Sequence, residues 1–224
     1  MKPAFIKFGN DKKPHSAREE FVHALTHGVG AALAAVGLVF LVLKVLDLDS
    51  VSALLSVTLY AGCMVLLYVS STLYHGSHKT SLQPLFKIFD HSAIYLKIAG
   101  TYTPIAIITL QTTLAIWVLA GVWIAAIIGV ALKFTAFMRK AHKEKWLLSL
   151  LLYLAMGWSG LLLVFPLYQE LPGGFGWIVA GGLSFTIGTI FYAIRSVPYM
   201  HAVWHMFVMA GSACHFVAIY VYVL

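Results

Sequence analysis

Three short segments of this 224-residue chain carry side chains that could do chemistry together: Ser71-Thr-Leu-Tyr-His75, Asp90-His91-Ser92 and His201-Ala-Val-Trp-His205. Residues four apart on a helix share a face with side chains about 5–6 Å apart, so His201 and His205 can grip one ion. A third imidazole from His75 on a facing helix would leave a fourth tetrahedral position open, the pattern of a catalytic rather than a structural zinc site. Ser71, one turn before His75 on the same face, is placed to hydrogen-bond whatever sits beside the ion. Asp90 is placed to orient a water at the open position or to take its proton. A Zn²⁺ ion, three neutral imidazoles, one hydroxide and one aspartate sum to zero charge, which suits a low dielectric far better than an unpaired carboxylate. Such an ion lowers the pKa of its water to about 7 and polarises a carbonyl, the two requirements of amide or ester hydrolysis. Any one of these histidines alone reads as a headgroup-level or capping residue, and a hydrogen-bonded polar cluster without metal accounts for the same set.

Other groups compete for these roles. Glu20, His23 and His27 open the first apolar segment, and His23 and His27 are also four apart. They offer an alternative metal pair or a supporting layer; with no facing third ligand, the reading is interfacial or hydrogen-bonding to the cluster. Lys97 lies two turns beyond Asp90 on nearly the same face, with Thr101, and is expected to meet Asp90 through water or to bind a lipid headgroup oxygen. Cys214 and His215 read as packing residues, and His78, His91 and His142 as surface residues. Ser184 and Gly188 make a small-x-x-x-small packing seam. Cys63 and Cys214 sit in apolar runs and supply neither a disulfide framework nor a cysteine metal knuckle.

The elements that must position these residues follow from composition. With 61% hydrophobic and 10% charged residues and a mean hydropathy of +0.88, the chain has too few charges to wet a globular surface. A soluble enzyme and a nucleic-acid-binding domain are excluded, and no nucleic-acid partner is expected despite the net charge of +7. A helix crossing about 30 Å of hydrocarbon needs about 20 apolar residues. Residues 21–43, 50–78, 98–132, 146–169, 171–194 and 196–224 contain no Asp, Glu, Lys or Arg. The third of these breaks at Gln111, Thr112 and Thr113, and its first half extends back through Lys97 to Phe86. The expected fold class is therefore all-α, an integral membrane bundle of seven helices over 22–45, 52–76, 86–109, 114–135, 147–168, 175–195 and 199–222, with residues 1–20 as a tail and 21–224 as one domain.

Proline and glycine punctuate these spans. Pro84, Pro172 and Pro198 suit helix starts, Pro104 and Pro166 are expected to kink their helices, and Gly173-Gly174 is expected to form a tight turn between the fifth and sixth spans. Lys2, Lys7, Lys12, Lys13, Arg18, Lys79, Lys87, Lys133, Arg139, Lys140, Lys143, Lys145 and Arg195 fall on one side and only Lys44 on the other. Positive loops stay inside, which predicts a cytoplasmic N-terminus and an external C-terminus. A cleaved signal peptide is not expected, because some twenty polar residues precede a long first apolar run. Reading alternate helices in opposite directions brings Ser71, His75, Asp90, His201 and His205 to one depth near the cytoplasmic leaflet. Ionisable groups there cost about 2.5–3.5 kcal/mol each at mid-bilayer, so each calls for a partner or a purpose.

Seven short-looped spans, Ser71-x-x-x-His75, Asp90 at the head of the third helix, Gly100-Thr-Tyr-Thr-Pro104 and His201-x-x-x-His205, with Glu20 and Thr26-His27-Gly28 in the first span, resemble the hemolysin III-like membrane proteins. These are the bacterial branch of the progestin and adipoQ receptor family, which includes the adiponectin receptors, and the resemblance runs from about Glu19 to the end. It implies zinc ligands at His75, His201 and His205, Asp90 at the zinc's water, Ser71 nearby, and a multi-pass protein of the bacterial inner membrane. It further implies zinc-dependent, ceramidase-like hydrolysis of a membrane lipid amide, or a haemolytic or membrane-homeostasis role. A metal-tied sensor of membrane state and a lytic pore are the alternatives. The short segment between His75 and Asp90 and the lack of an extended domain argue against reception of a protein hormone.

Overall fold

The structure, a computed structural model, describes residues 15–139, 146–194 and 196–224. His142 and the basic residues of 1–14 and 140–145 lie outside them, as does Arg195. Among the described residues the regular structure is helical, without strands. Seven helical segments are long and apolar enough to cross a membrane, as composition required.

The first helix, α1 (Ala17–Leu46), begins five residues before the expected start because Ser16 and Glu19 form a capping box. The Ser16 hydroxyl accepts from the Glu19 amide at 3.3 Å, and the Glu19 carboxylate accepts from the Ser16 amide at 2.8 Å. Reciprocal satisfaction of two orphan donors fixes the start, and it places Glu20, His23 and His27 on one inward face of the first three turns. Residues 17–20 are thus helix rather than tail. Ser50 caps α2 (Val51–Gly76), accepting from the Ala53 amide. The third helix, α3 (Gln83–Pro104), opens on Pro84 and continues past Pro104 as a π-helical turn over Ile105–Leu110, closed by Gln111 at φ 47°. The Thr112 hydroxyl then caps α4 (Thr113–Met138).

The fifth span is α5 (Trp146–Trp158), a 3₁₀ stretch (Ser159–Leu163) and α6 (Val164–Glu170). The 3₁₀ stretch lies just before Pro166, which has no N–H to give the carbonyl four residues earlier. The sixth span, α7, runs Pro172–Ala193 with Pro172 in its first turn. Gly173 and Gly174 are therefore helical, and the expected turn there is replaced by the single residue Leu171. A side chain at Gly173 would run into the Tyr222 ring, so close approach to the last helix, not a turn, calls for glycine. The seventh span is α8 (Met200–Val217), preceded by Tyr199 at φ 63° and followed by a π-helical turn over Ala218–Val223.

Helix α1 packs on α2, α2 on α3, α3 on α4, α7 on α8, and α8 returns to α1. Small residues allow these approaches: a Cβ on Gly30 would meet Tyr68 at 2.8 Å and one on Gly188 would meet Phe207 at 2.8 Å. The Ser184 hydroxyl reinforces the second seam by donating to the Phe207 carbonyl at 2.8 Å. Large apolar side chains such as Phe21, Trp117 and Phe165 face outward, whereas Glu20, His23, His27, Ser71, His75, Asp90, Lys97 and His205 are buried. That inversion is the arrangement hydrocarbon surroundings demand.

One close contact of this kind gives a test. A Cβ on Gly129 would lie 2.5 Å from the Tyr95 ring, whereas one on Gly121 of the same helix meets nothing within 4 Å. Gly129→Ala should destabilise the detergent-purified protein by about 1–3 kcal/mol through overpacking, and Gly121→Ala should match or exceed wild type. Thermal unfolding followed by circular dichroism separates the two.

Candidate metal centre

Five imidazoles from three helices converge at the bundle end that carries the starts of α1 and α8 and the last turn of α2. The rings of His23, His75, His201 and His205 lie with centroids 4.6–5.6 Å apart. His27 stacks face to face on His205, centroids 3.5 Å apart and planes 11° from parallel. Helix geometry explains the convergence. Glu20, His23 and His27 repeat at three and four residues on α1, His201 and His205 are one turn apart on α8, and His75 lies in the last turn of α2.

The hydrogen bonds fix which ring nitrogens are bare. Oε2 of Glu20 lies 2.6 Å from His75 Nδ1; a carboxylate only accepts, so Nδ1 carries the proton and Nε2 holds a lone pair. The Thr26 hydroxyl donates to the His23 carbonyl at 2.9 Å, which commits its one proton. His205 Nδ1, 3.0 Å from that hydroxyl, must therefore be the donor, and His205 Nε2 is bare, buried and without a hydrogen-bond partner. Both ring nitrogens of His23 and of His27 are likewise buried and without hydrogen bonds. Orphaned buried acceptors are costly and rare.

This donor set fits a divalent cation. Nε2 of His75 and Nε2 of His201 lie 3.3 Å apart, and zinc–nitrogen bonds of about 2.0–2.1 Å at tetrahedral angles put neighbouring ligand atoms about 3.3–3.4 Å apart. Ligand atoms of His23, His75 and His201 all lie within 4.8 Å of one another. The Glu20–His75 bond is the carboxylate–imidazole support that orients metal-binding histidines. Glu20 also comes within 3.9 Å of His23 Nδ1 through Oε2 and of His78 Nδ1 through Oε1.

The structure brings ligand atoms of His23, His75 and His201 within reach of one ion; His205, expected from spacing as the third ligand, falls outside that group, with its ring 5.3 Å from that of His75. Spacing alone paired His23 with His27 and found no third ligand; the signal that placed His23 was the capping box, which sets the helical phase of α1. His78 is a correction: it is part-buried against Glu20 rather than on the open surface, because the turn after α2 folds back over α1. His15, ahead of α1, is half-buried with its ring 4.9 Å from that of His23, and burial lowers its pKa below the ordinary imidazole value. Asp90 lines the same cavity as Glu20, His75 and His201. Ser71 is buried one turn from His75, and its hydroxyl makes no hydrogen bond among the described residues.

The cavity has a volume of about 730 Å³, within the usual range for small-molecule sites. From the histidines it runs past Ile94, Ile98 and Leu154 to Lys97, Phe185 and Ile178. It can hold an apolar chain with polar groups at one end.

Fold and site together define a multi-pass helical membrane protein with an imidazole-rich centre at one end of its bundle. The profile of the Haemolysin-III related family matches residues 15–216, and the chain belongs to that family. It is 42% identical to Hemolysin-3 of Bacillus cereus over 92% of this chain and 93% of that protein. It is 40% identical to the Hemolysin-3 homolog of Bacillus subtilis (strain 168), over 92% and 94% respectively. Similarity extends to the monocyte to macrophage differentiation factor of Homo sapiens, 28% identical over 73% of this chain and 68% of that protein. Seven apolar helices and these bacterial relatives make it a multi-pass bacterial membrane protein.

Removing the carboxylate from this arrangement should be felt at the metal. Glu20→Ala should weaken divalent-cation binding about 10- to 100-fold, measured with zinc as the probe ion by competition with a chromogenic chelator in detergent. An affinity equal to wild type would show that Glu20 does not orient His75.

Proposed function

We propose that this protein is a zinc-dependent membrane hydrolase of lipid amides, ceramidase-like in substrate class. His75, His201 and His205 would hold the ion, supported by Glu20 and Thr26, with the N-terminus and the site at the cytoplasmic side. The observation that carries the reading is the pair of His75 and His201 Nε2 atoms 3.3 Å apart, beside the bare, buried His205 Nε2, with His75 and His201 lining an apolar cavity that Asp90 also lines. A bound zinc ion supplies Lewis acidity toward a carbonyl oxygen and acidifies water. Asp90 takes the proton of the attacking water as its oxygen bonds to the amide carbon, then returns it to the departing nitrogen as the carbon–nitrogen bond breaks. The Ser71 hydroxyl donates toward the carbonyl oxygen as it gains charge. The apolar walls hold the acyl chain and exclude water, and the products are a fatty carboxylate and an amine.

A second reading, a metal-tied regulator of membrane state without turnover, is favoured by His23. Were that fourth imidazole to ligate the ion, no position would remain for water, as in structural sites.

Elemental analysis should find about one zinc per chain in wild type and in Asp90→Asn, and almost none in His75→Ala or His201→Ala. Fatty-acid release from a long-chain N-acylsphingosine in mixed micelles should fall at least about 100-fold in Asp90→Asn, the usual scale for loss of a general base. Wild-type protein loaded with zinc that releases no fatty acid from acylsphingosines or other acyl amides would overturn the hydrolase reading. The same conclusion would follow from X-ray absorption showing four imidazoles on the ion in wild type and three in His23→Ala.

A further inference from the structure

Two turns beyond Asp90 along α3, about 10 Å at 1.5 Å per residue, the cavity wall carries a second polar group that the metal reading does not use. Lys97 is 5% exposed, and its ammonium nitrogen sits 3.7 Å from the centroid of the Phe185 ring on α7. Among the described residues no carboxylate forms an ion pair with it. A ring face returns only part of what water gives an ammonium ion. An uncompensated cation inside an apolar bundle is expensive unless a counter-charge joins it.

A second group faces the same ring. On α8, His215 packs edge-on to Phe185 with centroids 5.4 Å apart. Nε2 of His215 donates to the Ile178 carbonyl at 3.2 Å, so its Nδ1 is the lone-pair nitrogen, and that atom is buried without a hydrogen-bond partner. The Thr101 hydroxyl, one turn on from Lys97, is committed to the Lys97 carbonyl at 2.9 Å. Three elements thus present one unpaired cation and one bare acceptor to a single stretch of an apolar cavity.

We propose that Lys97 is the head-group anchor of a binding site for a single-chain amphiphile bearing a carboxylate. An anion is required because the unpaired group is a cation. A single chain is required because the remaining wall, including Ile94, Ile98 and Leu154, is apolar and the whole cavity is about 730 Å³. His215 Nδ1 accepts a hydrogen bond from the ligand only when the head group is the neutral carboxylic acid, whose carbonyl oxygen then accepts from Lys97. An ionised carboxylate engages Lys97 alone. The site is separate from the histidine cluster and stands whether or not that cluster turns over a substrate.

Oleate is the probe, with oleyl alcohol as its neutral counterpart, both titrated into detergent-purified full-length protein after removal of metal with EDTA. Oleate should bind wild type and Lys97→Arg comparably and Lys97→Met about tenfold or more weakly, the scale of a lost hydrogen bond to a charged group. Oleyl alcohol should bind wild type and Lys97→Met alike. Oleate binding that Lys97→Met leaves unchanged, or that EDTA abolishes, would overturn the proposal, the latter by locating the carboxylate at the metal. A measurement on wild type guards against a variant that fails to fold. The N-hydroxysuccinimide ester of oleic acid, attacked at its carbonyl by the neutral Lys97 amine with loss of N-hydroxysuccinimide, should acylate Lys97. Excess oleate should block that labelling, detected by peptide mass mapping. Labelling confined to other lysines, or indifferent to oleate, would count against the site.

Discussion

A carboxylate and four imidazoles buried at one end of an apolar bundle, with a fifth part-buried beside them, must satisfy their hydrogen bonds among themselves, because lipid tails offer none. The Glu20–His75 bond is where that constraint is met most directly, at 2.6 Å and between two buried side chains. It joins the first turn of α1 to the last turn of α2, sets the tautomer of His75, and turns the bare nitrogen toward His201. The Thr26 hydroxyl performs the same service for His205. Once both tautomers are set, His205 Nε2 is a buried lone pair without a donor, and His75 Nε2 is a lone pair facing only the His201 ring nitrogen. A cation is the partner such a set lacks, which is why the hydrogen bonds bear more on chemistry here than the ring positions do.

These contacts depend on how closely the helices approach. Tyr68 covers Gly30 and Thr72 lies 3.7 Å from where a side chain on Gly28 would begin, so α1 and α2 run close enough for Glu20 to reach His75. Gly188 and Ser184 do the same for α7 against α8, and this holds Phe185 beside Lys97 and His215. The stretch of α5–α6 before Pro166 relaxes to 3₁₀ geometry and α3 continues past Pro104 as a π turn. The first departure is a local consequence of a proline without a donor in surroundings that supply no water.

Much of this was legible in the residues. Charge-free stretches counted seven spans, the Gln111–Thr113 break divided two of them, and the four-residue spacing of His201 and His205 marked the paired imidazoles. Where the reading missed, a local signal was outweighed or a cross-helix contact decided. Gly173-Gly174 looks like a turn because paired glycines usually are, yet the space at Gly173 is filled by Tyr222 from another helix and that at Gly174 by Leu171 and Tyr222. Helix α1 starts ahead of its apolar run because the capping box of Ser16 and Glu19 begins it among polar residues. His78 looked exposed because nothing local shows that the turn after α2 lies against Glu20.

The sequence by itself determined the membrane class, the number of spans, the family and the helices on which the histidines lie, because hydrocarbon length and helical periodicity are properties of one segment at a time. Only the tertiary structure decided that His23 joins His75 and His201, that Glu20 serves His75 rather than its own helix, and that Lys97 faces an aromatic ring instead of Asp90. Those outcomes depend on the rotation and separation of packed helices, which glycine contacts and ring stacking set between segments far apart in the chain.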